Sequence, residues 1–108
     1  MPKYIFVYLG GSQPESPEEG KQHFEKYQQW LADLGDKVVS PAIPFKDTHT
    51  VHPNGSAEAG TTTLMSGMSI LQFASMNEAL EAAKACPFRE INVTLEISEM
   101  VEMPSKMN

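Results

Sequence analysis

Two stretches of this chain carry apolar side chains on both faces of an extended strand, and that restricts what it can fold into. Tyr4 to Leu9 (YIFVYL) sets Tyr4, Phe6 and Tyr8 on one side and Ile5, Val7 and Leu9 on the other, because successive side chains along a strand alternate. Leu64 to Ala74 (LMSGMSILQFA) sets Ile70 against Leu71 and Phe73 in the same way. Strands of this kind belong in the middle of a sheet that is covered on both faces. Gly10-Gly11 closes the first run as a turn, and Gly67 inside the later run marks a bulge or a close backbone approach.

The remaining elements are edges and helices. Ser16-Pro17-Glu18-Glu19 puts an N-cap serine, a first-turn proline and a capping glutamate in series, so a helix starts at 17 and runs to 34, where Gly35 stops it. Phe24, Tyr27, Leu31 and Leu34 form its expected inward stripe. Lys37 to Ser40 reads as a short strand ended by Pro41 and Pro44, an edge because proline cannot donate to a ladder. The polar stretch 45–63 holds two short extended pieces, Thr48 to Val51 and Thr61 to Thr63, around a His-Pro-Asn-Gly turn, and reads as a ribbon or mobile loop. Ser75-Met76-Asn77-Glu78 repeats the capping signal before an alanine-rich helix through Ala85, with Ala79, Leu80, Ala83 and Cys86 inward and Pro87 as the stop. Ile91, Val93, Leu95 and Ile97 alternate with polar residues, the pattern of a strand covered on one face only.

The order is β-α-β-β-α-β, an α+β chain of ferredoxin-like type with an antiparallel sheet, read as a single domain over residues 1–108. Two helices cover one sheet face only. The simplest cover for the other is a second copy, giving a homodimer that closes into an α/β barrel, with Met100, Met103 and Met107 of the tail lying across the partner.

The 108 residues carry 8 Lys+Arg against 14 Asp+Glu, a net charge of −6. With no basic run, the electrostatic attraction that dominates nucleic-acid binding is missing, so nucleic acid and anionic membrane surfaces are excluded as expected partners. No apolar run approaches the roughly 20 residues of a membrane span, and Met1-Pro2-Lys3 leads into a strand rather than a signal peptide. The single cysteine, Cys86, has no internal disulfide partner, which fits a reducing, cytoplasmic compartment.

Several short motifs occur together: the first strand ending in Gly10-Gly11, the helix end Trp30-Leu31…Leu34-Gly35-Asp36, then Val38-Val39, Pro44-Phe45, Thr50-Val51, Gly67-Met68-Ser69-Ile70 and Ala85-Cys86-Pro87. In these the chain resembles the YCII-related family, whose larger branch is the DGPF-domain proteins. Together the motifs cover residues 3 to 98. The resemblance implies a ferredoxin-like domain dimerising into a barrel, with a His and an Asp in its cleft. The family's histidine follows a glutamine in the first helix, and Gln22-His23 matches that pattern. The Asp-Gly-Pro-Phe segment that names the larger branch is absent here, so nothing tied to it carries over.

Three residues are the candidates for chemistry: His23, Asp47 and His49. His23 lies one turn before Tyr27 and two before Trp30, beside aromatics that can shape a pocket for general-base work or a ligand carboxylate; the plainer alternative is a half-exposed helix histidine. Asp47-Thr48-His49-Thr50-Val51-His52 offers a carboxylate and two imidazoles. In an extended segment Asp47 and His49 share a face while His52 points away, which suits a hydrogen-bonded pair at a pocket lip and argues against a metal site. Cys86, at a helix C-terminus, is expected to be an inert thiol. Gly10-Gly11 precedes Ser12-Gln13-Pro14 rather than a helix and fits no nucleotide fingerprint; no cofactor is expected. The functional expectation is a small-molecule-binding or enzymatic homodimer. The alternatives are a non-catalytic regulatory module and, on fold analogy alone, a monooxygenase-like barrel.

Overall fold

The computed structural model describes residues 1–12 and 15–101. Its elements in chain order are β1 (Lys3–Gly10), α1 (Pro17–Leu34), β2 (Val38–Pro44), β3 (His49–Val51), β4 (Ala57–Ala59), β5 (Met65–Gln72), α2 (Met76–Lys84) and β6 (Val93–Glu99), with single 3-10 turns at Gly35–Lys37 and Pro87–Ile91. The main sheet is antiparallel in the order β2-β5-β1-β6, and β3 pairs with β4 in a separate ribbon. The two strands with doubly apolar sequences are the two central ones. This is the ferredoxin-like α+β arrangement.

Both helices begin where the capping residues dictate. Ser16 accepts a hydrogen bond from the Glu19 N–H at 3.1 Å, and Ser75 accepts one from the Glu78 N–H at 3.3 Å, each satisfying a donor the helix leaves unpaired. Glu78 reaches back to the Ala74 N–H at 2.8 Å and so completes a reciprocal pair. Gly35 ends α1 at φ 60°, and its N–H returns to the Leu31 carbonyl.

The core lies between the helices and one sheet face. Tyr4, Phe6 and Tyr8 of β1, Leu71 of β5 and Phe73 just after it are buried together with Tyr27 and Trp30 of α1 and Ala79 and Ala83 of α2. The inward stripe of α1 is turned from the expected one: Trp30 is buried, donating from its indole nitrogen to the Ala82 carbonyl at 3.0 Å, while Phe24 is 57% exposed. The large indole meets both α2 and Phe6, and seating it rotates Phe24 outward. Leu80, expected inward on α2, is 39% exposed, because Ala79 and Ala83 point at the sheet and Leu80 looks along its edge.

The opposite face of the sheet is left open within one chain, as the reading of two helices on a single face anticipates. Ile5, Val7 and Leu9 of β1 and Met68 and Ile70 of β5 are only half-buried, and Ile43 and Met65 beside them are exposed. Both helices pack on the other side.

Three further boundaries differ from the sequence expectation. The second strand continues through Pro41 to Pro44, which is tolerated on an edge where the missing N–H faces away from β5, with two register shifts as the cost. The returning arm of the ribbon is Ala57–Ala59 rather than Thr61 to Thr63, because the His52–Gly55 turn closes tightly through His52 N–H to Ser56 O at 2.8 Å and pairing resumes at once. Ile91 belongs to the 3-10 turn that Pro87 begins, not to β6. Met100 is exposed; Met103 and Met107 lie outside the described residues. No described helix is long and apolar enough to cross a membrane.

Candidate functional site

At one end of the main sheet β1 runs out, β2 ends and β5 begins, and the 3-10 turn after α2 leans across them. The gap between these ends is a cleft of about 220 Å³ walled by Tyr8, Ile43, Phe88, Ile91 and Val93, with the Gly10-Gly11-Ser12 turn and Ser66-Gly67 along its lip. Glycine is required at two places there. Gly11 sits at φ 117°, where a Cβ would come within 3.0 Å of Val93 Cγ2, and a Cβ on Gly67 would stand 2.9 Å from the Ile43 carbonyl oxygen. The close approach of β2 to β5 at Gly67 therefore shapes the cleft mouth. The lip is tied in place: Asn92 Nδ2 donates to Ser12 Oγ at 2.8 Å, and the Ser12 N–H donates to the Ile91 carbonyl at 2.7 Å.

Behind the wall stands a packed aromatic group centred on Phe88. Tyr27 stacks on it at 4.8 Å with nearly parallel planes, Tyr8 meets it edge-on at 4.8 Å, and His23 stacks at 5.0 Å. His23 and Tyr27 reach the same ring because they are one helical turn apart on α1. The His23 Nε2 is buried and has no hydrogen-bond partner among the described residues, an arrangement that costs free energy unless something pairs with it.

The hydroxyls in this region are neutral and engaged. Tyr8 Oη and Ser69 Oγ lie 2.6 Å apart, and Tyr27 Oη accepts the Ala42 N–H at 2.7 Å. Burial pushes the Tyr8 and Tyr27 phenols above their ordinary range and lifts the Cys86 thiol to about 11, so each keeps its proton at neutral pH. The two phenols serve as hydrogen-bonding groups.

Asp47 and His49 do form a pair, His49 Nε2 to Asp47 Oδ1 at 3.2 Å, but on the exposed ribbon, with the Asp47 side chain 86% accessible. Asp47 follows Pro44 by three residues, so the pair hangs on a short tether from the cleft lip. It makes no hydrogen bond to His23. His52 pairs with Glu58 of β4 at 3.4 Å. Among the described residues no three His, Cys, Asp or Glu side chains gather closely enough to hold a metal ion.

Sequence reasoning passed over Tyr8, Ser69 and Phe88. Tyr8 read as one more aromatic in an apolar strand. The available signal was Ser69, a hydroxyl at a core-facing position of β5, which needed a buried partner.

No family model matches the chain, and no curated protein matches it in sequence. Among solved structures it is similar to 5-chloro-2-hydroxyhydroquinone dehydrochlorinase from Burkholderia phenoliruptrix AC1100, in complex with 2,5-dihydroxybenzoquinone. The TM-score is 0.55 and the identity 13%, over 92% of this chain and 95% of that one. At that identity the likeness establishes the shared ferredoxin-like fold.

Proposed function

We propose that this chain is a YCII-related, small-molecule-binding or enzymatic homodimer whose ligand is a single, mostly apolar ring carrying a few oxygen atoms. The observation that carries the reading is the cleft at the strand ends, backed by the Phe88 stack and the unpartnered His23 Nε2. A volume of about 220 Å³ exceeds the roughly 150 Å³ that accommodates benzene in an apolar cavity and falls below the usual range for drug-sized ligands. Tyr8, Phe88, Ile91 and Val93 supply flat and aliphatic walls, while Ser12 and Ser66 place hydroxyls at the rim. The dehydrochlorinase of the same fold was solved with a dihydroxylated quinone, a ligand of this size and character.

In this reading His23 is the acid–base or hydrogen-bonding group, reached when the Phe88 ring moves aside, and the Asp47/His49 pair supports a polar substituent at the mouth. A second reading, a non-catalytic carrier, draws on the absence of any charged side chain among the described cleft-lining residues.

Thermal shift and calorimetry with 2,5-dihydroxybenzoquinone, hydroquinone and benzoate test the proposal. Binding to the folded state alone stabilises by about 2.7 kcal/mol at one hundred times the dissociation constant, a rise of several degrees. His23→Ala is expected to weaken binding and abolish any turnover. Binding without turnover, unchanged in His23→Ala, favours the carrier. No shift and no heat with any of the three overturns the cleft as a ring site.

A further inference from the structure

The two edges of the main sheet are built differently. β2 carries Pro41 and Pro44 and two register shifts, so it offers no regular row of donors. β6 has neither proline nor shift along its whole pairing with β1. Natural sheets blunt their edges with such devices, and a plain edge is a ready template for another strand.

The hydrogen-bond phase identifies which groups β6 presents. The Met100 N–H donates to the Lys3 carbonyl at 2.8 Å, and antiparallel pairs alternate. Ser98, Glu96 and Thr94 therefore bond inward to β1, and Val93, Leu95 and Ile97 direct their N–H and C=O groups outward. Beside that row runs an open groove of about 400 Å³, lined by Leu80 and Ala83 of α2 and by Val93, Leu95 and Ile97. Leu80, which looks along the sheet edge, forms part of its wall. Lys84 and Arg89 stand at the end of the groove where β6 begins. Lys84 pairs with Glu81 at 2.9 Å, and one guanidinium nitrogen of Arg89 donates to the Lys84 carbonyl, leaving further donors of both groups for an anion.

We propose that β6 and this groove bind the C-terminal end of an extended partner polypeptide, which adds as an antiparallel strand. Direction follows from charge: an antiparallel strand has its C-terminus beside the start of β6, where Lys84 and Arg89 meet its carboxylate. Main-chain hydrogen bonds to Leu95 and Ile97 hold the strand, and alternate apolar side chains enter the groove against Leu80. In a chain of net charge −6, two cations beside an apolar groove select a peptide that is apolar along its length and anionic at its end.

The probe is the hexapeptide acetyl-Thr-Val-Thr-Val-Thr-Val with a free C-terminus, titrated into the full chain and followed by NMR. Saturable shifts at Leu80, Leu95 and Ile97 below about 1 mM are expected, together with slowed hydrogen exchange of the Leu95 and Ile97 amides. The C-terminal amide of the same peptide is expected to bind roughly tenfold more weakly, having lost the charge-assisted contact. N-methylation of alternate residues in the pairing register is expected to abolish binding. Leu80→Glu, at an exposed position, is expected to remove the groove contact while leaving the melting temperature in place. Equal affinity of acid and amide overturns the C-terminal assignment. Absence of shifts, shifts at Lys84 and Arg89 alone, or Leu95 and Ile97 amides already protected by self-association overturn the strand-addition site.

Discussion

The Tyr8–Ser69 pair shows how much a single residue decides in this protein. Two hydroxyls in a fully buried position satisfy each other at 2.6 Å, so neither is a liability. Tyr8→Phe is expected to destabilise by about 1–3 kcal/mol because it strands the Ser69 hydroxyl, and adding Ser69→Ala is expected to recover much of that loss. Urea melts of the single and double variants check this, and additive losses would contradict it. Titration gives a second expectation. The folded Cys86 thiol holds its proton to about 11, against 9.0 for an ordinary thiol. The unfolded chain therefore ionises first, and the contribution of Cys86 is complete below pH 9 and is lost between pH 9 and about 11. Tyr8 and Tyr27 push in the same direction. Melting temperature is expected to fall through that window, less steeply in Cys86→Ala.

At the scale of elements, local signals and long-range packing divide the structure. Ser16→Ala is expected to cost about 1 kcal/mol in a denaturant melt, since the Ser16 hydroxyl takes the Glu19 N–H that the first turn of α1 leaves unpaired. Gly67→Ala is expected to force β2 away from β5, because the new Cβ would stand 2.9 Å from a backbone carbonyl. The expected readouts are a loss of about 1–3 kcal/mol and a changed cleft mouth, with weaker ring binding than in the parent. The helix starts, the Gly35 stop and the central place of the two doubly apolar strands were legible because each is written in adjacent residues. The cleft was not. Tyr8, Ser66 and Phe88 come together only when β1, β5 and the turn after α2 are assembled, and no spacing within any one segment records that. His23 and the Asp47/His49 pair were legible as chemistry, but their separation onto a helix face and an outer ribbon depends on where the 45–63 stretch leaves β2. Phe24 misled because a three- and four-residue rhythm fits more than one stripe, and Trp30 set the rotation of α1 by its bulk.

For the whole molecule the unanswered apolar surface is the open sheet face, where Ile5, Val7, Met68 and Ile70 lie half-buried and Ile43 and Met65 exposed. Contiguous apolar area of this kind suits the homodimer proposed above, and light scattering coupled to size exclusion is expected to give about 24 kDa, twice the 11.9 kDa chain. Ile70→Lys is expected to shift that mass toward the monomer, since it places a charge in the middle of the face while leaving the helix-side core untouched. An NMR titration of the full chain with hydroquinone asks whether the strand-end cleft takes a small oxygenated ring. Saturable shifts at Gly11, Ser12, Gly67 and Ile91 are expected, with broadening of the Phe88 and His23 ring signals and no change at Leu80 or Lys84. Shifts scattered over the surface, or confined to the ribbon with the four lip amides unmoved, would show that the ring binds elsewhere.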